Sequence, residues 1–171
     1  MESRGSSNSV QLRNFCVADL DEFYEWLSDE QVTKFTTWEA IESKERAREI
    51  LTKVVIPHPW FRAICVNGRA VGHIVLKQGE GIHSCRAEIG YVISRNYWNR
   101  GLATQAVQSA LKNGLSELKG VERVEGLVLP ENAASARVLE KAGFRNNGFF
   151  PKYVRVKGCV EDCFIFSYVV P

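Results

Sequence analysis

The sequence predicts a one-domain α/β fold in which a mixed, mostly antiparallel sheet is flanked by helices. Three observations predict it. Segments of alternating apolar character flank the dipeptide Asn67-Gly68, which suits a tight antiparallel hairpin because both residues tolerate positive φ. Two stretches with apolar residues three and four apart follow, divided by a strand-like segment, so that strands and helices alternate in the second half of the chain. The 171 residues, 45% hydrophobic and 25% charged, have the size and make-up of a single globular domain and not of a disordered, fibrous or coiled-coil chain.

In chain order, residues 11–15 read as a short strand. Leu20, Phe23, Tyr24 and Leu27 then mark one face of a first helix over residues 19–27. Ser43 is placed to cap a second helix that runs to about Val55, with Ile50, Leu51 and Val54 on its apolar face and Pro57 and Pro59 ending it. Residues 61–66 and 70–76 form the hairpin around Asn67-Gly68, and residues 85–94 complete an antiparallel meander. From Gly101 to Leu118, the positions Ala103, Ala106, Val107, Ala110, Leu111, Leu115 and Leu118 give the clearest helical period in the chain. Residues 121–129 read as a strand, and Asn132 starts a helix with Val138 and Leu139 on one face and Gly143 as its C-terminal cap. Residues 149–156 and 163–169 are a last strand pair, turned at Lys157-Gly158. Residues 1–10 are expected to be a flexible N-terminus ahead of a folded domain over 11–171.

Composition excludes several classes of function. Five cysteines, odd in number and without a C-x-x-C pair, signal neither a disulfide framework nor a zinc site, so no metal is expected. The first residues lack the apolar run of a secretory signal, and Glu2 stands where myristoylation needs glycine. With no apolar stretch near the ~18 residues of a membrane span, a cytoplasmic or nucleocytoplasmic protein is expected. A formal charge of +2 names neither nucleic acid nor a membrane as partner. Charge is nevertheless uneven: residues 1–60 hold 7 basic against 11 acidic residues, and residues 61–120 hold 8 against 3.

Chemistry is expected first at residues 94–104, which join a strand to the N-terminus of the helix with the clearest period. A helix start has unpaired N–H groups and partial positive charge, and Gly101 and Ala103 would let a phosphate approach the backbone closely. Neither G-x-x-x-x-G-K-[ST] nor a strand followed by G-x-G-x-x-G is present, which disfavours an ordinary ATPase or dehydrogenase.

Three segments, A-E-I-G-Y-V-I-S (87–94), Y-W-N-R-G-L-A-T-Q-A-V (97–107) and N-A-A-S-A-R-V-L-E-K-A-G-F (132–144), resemble in order and spacing the successive motifs of the GNAT superfamily of acyl-CoA-dependent N-acetyltransferases. Within it they are most similar to the branch of ribosomal-protein serine/alanine acetyltransferases. The resemblance implies a single-domain GNAT-like fold with a sheet splayed in the middle, and acetyl-CoA as co-substrate. It implies that the backbone of Val92, Ile93 and Ser94 pairs with the pantetheine arm and that the pyrophosphate lies on the amides of Trp98, Asn99, Arg100, Gly101, Leu102, Ala103 and Thr104. Asn132 and Ser135 would reach the cofactor from the other side of the splay. Read without the resemblance, Asn132 is a helix cap and Ser135 a first-turn hydroxyl. Two departures stand out. Trp98 replaces the usual Gln or Arg at the start of the phosphate turn, and Glu140 stands where many members place an acidic tyrosine, so Ser135 is the expected acid.

The implied reaction is direct attack of a primary amine, of a protein N-terminus or a small molecule, on the thioester. A lysine-like amine (pKa ~10.4) is far from neutral at pH 7, whereas an α-amino group (~7.7 to 8.0) is close, so a base matters more for the former. Glu88 matches the position of that base in histone-acetylating members, and burial would strengthen it; alone, it reads as a surface glutamate on a half-buried strand. The Ile93 N–H is the expected oxyanion donor. A rival reading, with Cys85 as a nucleophile beside His83, suffers from the ~6 to 7 Å between alternate residues on a strand. His58 and His73 read as structural, and Trp38 and Trp60, near helix ends, as core or lid residues, with the lining of a substrate groove as the other reading. The basic middle third would favour the pyrophosphate, and the acidic first third a cationic acceptor, whose choice is left to residues 28–42 and 145–158. A second reading is an acyl-CoA-binding module that kept the cleft and lost the reaction. Monomer and dimer both stay open.

Overall fold

A computed structural model describes residues 9–171. Strand β1 (Gln11–Asn14) leads through a short turn to helix α1 (Leu20–Leu27), the one-turn helix α2 (Glu30–Thr33) and helix α3 (Lys44–Ile50), which runs on in a wider turn to Val55. The meander β2 (Phe61–Val66), β3 (Arg69–Gln78) and β4 (Arg86–Ile93) follows. Helix α4 (Leu102–Ser109) is prolonged by wider and tighter turns to Glu117 and precedes β5 (Arg123–Val128), α5 (Ala133–Lys141), β6 (Arg145–Val156) and β7 (Cys159–Val169).

These strands form one seven-stranded sheet in the order β1-β2-β3-β4-β5-β7-β6. Only β4 and β5 run parallel, and their register covers just Arg86 with Arg123, Ala87 with Val124 and Glu88 with Glu125. Beyond Glu88 the two strands part. The predicted mixed, mostly antiparallel sheet with a central splay is thus the fold observed. Two apolar cores hold it: α4 and α5 cover one face through Leu102, Val107 and Leu139, while α1 and α3 cover the other through Phe23, Trp26 and Leu51.

The hairpin forms as its chemistry requires, with Asn67 and Gly68 at φ 50° and 81°. Ser43 caps α3 by accepting from the Arg46 amide. The face of α3 needs correction: Ala47, Leu51 and Val55 are buried, whereas Val54 is 55% exposed, because the buried positions step by four. Helix α2, capped by Asp29, escaped prediction, being a single turn without an apolar period. The final strands are longer than predicted; bulges after Asn146 and Phe150 break the alternation that marks a strand in sequence. Most of the expected flexible N-terminus lies outside the described residues, and the Val10 amide within them donates to Gln105 Oε1 at 3.3 Å. Among the described residues no helix is long and apolar enough to cross a membrane.

Candidate functional site

Strand β4 sets the site because its two edges have different partners. At its ends the Ser94 amide donates to the Val71 carbonyl and the Arg86 carbonyl accepts from the Gly79 amide, so even-numbered residues present their backbone to β3. The register against β3 is continuous from Ala87 to Ile93, so odd-numbered residues face β5 throughout. Since β5 has left after Glu88, the backbone groups of Tyr91 and Ile93 open into the split. This corrects the expectation for Val92 and Ser94, which turn their amides to β3. Ser94 is also buried, and its hydroxyl donates to Glu25 Oε1 at 2.9 Å.

At the wide end of the split lies the predicted turn. Asn99 and Gly101 have φ of 59° and 71°, a left-handed conformation that glycine adopts without strain. Gly101 begins α4 with no side-chain cap, and the first recorded intrahelical bond is from the Gln105 amide to the Gly101 carbonyl at 3.2 Å. The amides of Leu102, Ala103 and Thr104 therefore stand open, and a Cβ on Gly101 would meet nothing within 4 Å. These features fit a pyrophosphate. Trp98 does more than replace a polar residue: its indole N–H donates to the Ile93 carbonyl at 2.7 Å and holds the end of β4 while the ring stays 42% exposed. Arg100 stacks on Tyr97. Glu25 accepts from Asn96 and pairs with Arg69, and Asp29 pairs with Arg95 at 3.0 Å, so α1 and the residue capping α2 pin the turn from behind.

Across the split, Asn132 caps α5 by accepting from the Ser135 amide at 3.2 Å. Ser135 Oγ lies 2.8 Å from the Tyr91 hydroxyl, which also reaches the Ser135 carbonyl at 3.2 Å. Burial pushes the Tyr91 phenol up to about 12, against the opposing effect of its Ser135 bond. Glu140, in contrast, is exposed. Tyr91 was read only as a strand residue; the one signal in sequence was its odd spacing from Glu88, which puts the two side chains on opposite faces of the sheet.

Glu88 is exposed, so the burial that would strengthen it is absent. It lines a cavity of about 320 Å³ with Lys77, Glu80, His83, Glu125, Leu127 and Tyr153. Beside it, Glu125 accepts from Arg86 at 2.6 Å and Arg123 at 2.7 Å. Burial acts to raise the Glu125 carboxyl, but these two bonds outweigh it and hold the group below its usual range. Glu88 and Ile93 are five residues apart, roughly 17 Å on an extended strand. Tyr91 is only three residues from Glu88, about 10 Å, and carries Ser135 with it. The split thus brings Tyr91 and Ser135 together, with Glu88 on the other face of the sheet and Ile93 nearer the phosphate turn.

Two segments distant in sequence also meet. Lys157, at the β6–β7 turn, donates to the Thr33 carbonyl at 2.8 Å and lies 3.6 Å from Glu39, joining the two regions expected to set acceptor choice. Trp60 is core and Trp38 is half-buried against His73, as read. Cys85 and His83 both precede β4, both are exposed, and no hydrogen bond joins them, so the nucleophile reading gains nothing. Among the described residues no group of three or more His, Cys, Asp or Glu side chains is placed to hold a metal ion.

The model of the family described as "Acetyltransferase (GNAT) domain" matches residues 9–145. An uncharacterized N-acetyltransferase, p20, of Bacillus licheniformis is 30% identical over 170 residues, covering 92% of this chain and 91% of its own length. The crystal structure of a GNAT-family acetyltransferase from Bacillus anthracis superposes with a TM-score of 0.82 at 29% identity, over 94% of this chain and 95% of that one. RimL, a ribosomal L7/L12 alpha-N-protein acetyltransferase solved in complex with coenzyme A, shares the fold with a TM-score of 0.81 at 17% identity, over 96% of each chain.

Proposed function

The chain belongs to the GNAT acetyltransferase family, and on that premise we propose that it moves an acetyl group from acetyl-CoA to a primary amine by direct attack. The observation that carries this reading is the open edge of β4, which leads from the uncapped start of α4 at one end to the Tyr91–Ser135 hydroxyl pair at the other. The amides of Trp98 through Thr104 would hold the pyrophosphate, with Asn132 and Ser135 on the far wall. The Ile93 N–H would take the pantetheine arm; its carbonyl is already engaged by Trp98.

Acetyl-CoA supplies the acyl group as a thioester, and the chain supplies proton management and orientation. The amine enters from the cavity beside Glu88. Glu88 accepts the surplus proton of the nitrogen as the C–N bond forms, relayed by water around the open edge of β4, because it lies about 10 Å along the strand from Tyr91 and on the other face of the sheet. The oxyanion donor on this reading is the Tyr91 N–H, not that of Ile93, since Tyr91 lies level with Ser135. A fixed amide needs no reorientation to stabilise the developing charge. As the C–S bond breaks, Ser135 gives its hydroxyl proton to the sulfur and regains one from water. A thiol of pKa ~8.5 leaves readily, so this help is modest. The acceptor is a protein N-terminus or a small amine, and the acidic first helices favour a cationic one.

Mixing the protein with acetyl-CoA and a panel of N-terminal peptides, lysine peptides and polyamines, while following free thiol, tests the reading. Release above background with at least one amine is expected. Tight cofactor binding with no release for any acceptor would establish the binding-module alternative. Glu88→Gln is expected to lower turnover about 100-fold with acetyl-CoA affinity unchanged within about twofold. Full activity of that variant from about pH 6 to 9 would remove Glu88 as the base.

A further inference from the structure

We infer that Tyr91 is a positioning residue for Ser135, aiming the serine hydroxyl at the departing sulfur; this rests on the acyl-transfer reading above. The Tyr91 hydroxyl has one proton and two acceptors in reach, Ser135 Oγ at 2.8 Å and the Ser135 carbonyl at 3.2 Å. When it donates to Oγ, the serine proton is free to point into the split. When it donates to the carbonyl, Oγ donates back to the phenol and that proton is withdrawn from the sulfur. The two patterns exchange by rotation of two hydroxyls, without movement of backbone.

A serine in the first turn of a helix has three staggered positions for its hydroxyl. Nothing else selects among them here. Asn132 Oδ1 is taken by the Ser135 amide, and among the described residues Tyr91 is the side chain hydrogen-bonded to Ser135 Oγ. The phenol is buried and stays protonated through the neutral range, so it remains able to donate while Glu88 works on the other face of the sheet. Ring burial is a separate role: Tyr91 packs against the core beneath α4 and α5, and phenylalanine would preserve that packing.

The test is a double-mutant cycle of Tyr91→Phe and Ser135→Ala, reading kcat and the KM for acetyl-CoA. Tyr91→Phe is expected to lower kcat about five- to tenfold with KM within twofold, the size of one oriented hydrogen bond. In the Ser135→Ala background it is expected to change nothing further. Equal losses in both backgrounds, or no loss at all, would overturn the inference, because a purely structural phenol acts regardless of Ser135. A wild type that releases no thiol with any amine would overturn the acyl-transfer reading and this inference together, whereas an active wild type with an additive cycle would overturn this inference alone. Should Tyr91→Phe lose its fold, fluorotyrosine at position 91 keeps the shape and strengthens the donor. Its kcat must then differ from wild type with Ser135 present and match it with Ser135→Ala.

Discussion

The two sides of the split are built in opposite ways. The proposed phosphate side is one contiguous stretch, from Ile93 to Gln105, and would work through backbone: two left-handed residues, an uncapped helix start and one indole bond to a carbonyl. The proposed acceptor side is assembled from side chains that lie far apart in sequence, among them Glu88, Glu125 and Tyr153 around the cavity, with Lys157 against Thr33 elsewhere. Backbone amides recognise what every acyl-CoA shares. Side chains from separate loops can change independently, so on the proposed reading the acceptor side is free to vary without altering the phosphate turn.

The sharpest way to break this comparison is at Gly101. Valine there must adopt φ near 71°, which costs a β-branched residue roughly 2 kcal/mol, and its side chain fills the open space before α4. Acetyl-CoA affinity is expected to fall about 100-fold by calorimetry, with Tm lowered by about 5 °C. Asparagine tolerates the left-handed conformation, so Gly101→Asn separates the two causes. If Gly101→Val bound the cofactor normally, the phosphate side would not rest on this turn.

Beneath α1, the sensitive element is buried. His73 is ringed by Phe23, Trp26, Trp38 and Phe61 at 5.0 to 6.3 Å, and its Nδ1 accepts from the Trp26 indole at 3.0 Å, leaving the neutral ring protonated at Nε2. Burial pushes its pKa down to about 3. The unfolded chain takes a proton below about pH 6.5 and the folded one does not, so stability is complete above that value and falls as pH drops. From pH 7 to 5 the loss is expected to be about 2 kcal/mol, read from urea midpoints. His73→Gln keeps an acceptor for Trp26 and should flatten that slope; an unchanged slope would show that His73 does not cause it.

How much of each side was legible in the sequence follows from the same contrast. Gly101, the helix behind it and the Asn132 cap are local signals, and residues 94–104 were found from them. The split itself came from resemblance, because a parallel pair that ends after Glu88 leaves no mark in the periodicity of β4. Tyr91 was missed because its partner is 44 residues away. Glu25 and Asp29 were read only as part of an acidic stretch, since nothing near them in sequence shows that they would pin Ser94 to Asn96. The placing of Val92 and Ser94 failed for a simpler reason: residue type says nothing about which strand edge a backbone group faces. Only the register against β3 decides it.

A milder test of the phosphate side is Trp98→Phe, which keeps a ring and removes the bond to the Ile93 carbonyl. One neutral hydrogen bond at a half-exposed site contributes roughly 1 kcal/mol, so acetyl-CoA affinity should weaken about fivefold and acceptor KM should not move. A change in acceptor KM alone would mean that the indole serves the other side.

The smallest effect is expected at Lys157, and it bears most directly on the contrast. The Glu39 side chain is 77% exposed, so that ion pair contributes little, and what Lys157→Met removes is chiefly the bond to the Thr33 carbonyl at 2.8 Å. Methionine keeps the length and apolar stem of lysine, so the hairpin should stay in place and only its tether to the α2 region loosen. The KM for the amine should rise by no more than about threefold, with kcat and acetyl-CoA affinity unchanged. Lys157 also carries one positive charge, so on the proposed reading a cationic amine should lose less than a neutral one. A loss of cofactor affinity in this variant would show that the two sides are coupled through the sheet, and the division between a backbone-built and a side-chain-built half would have to be abandoned.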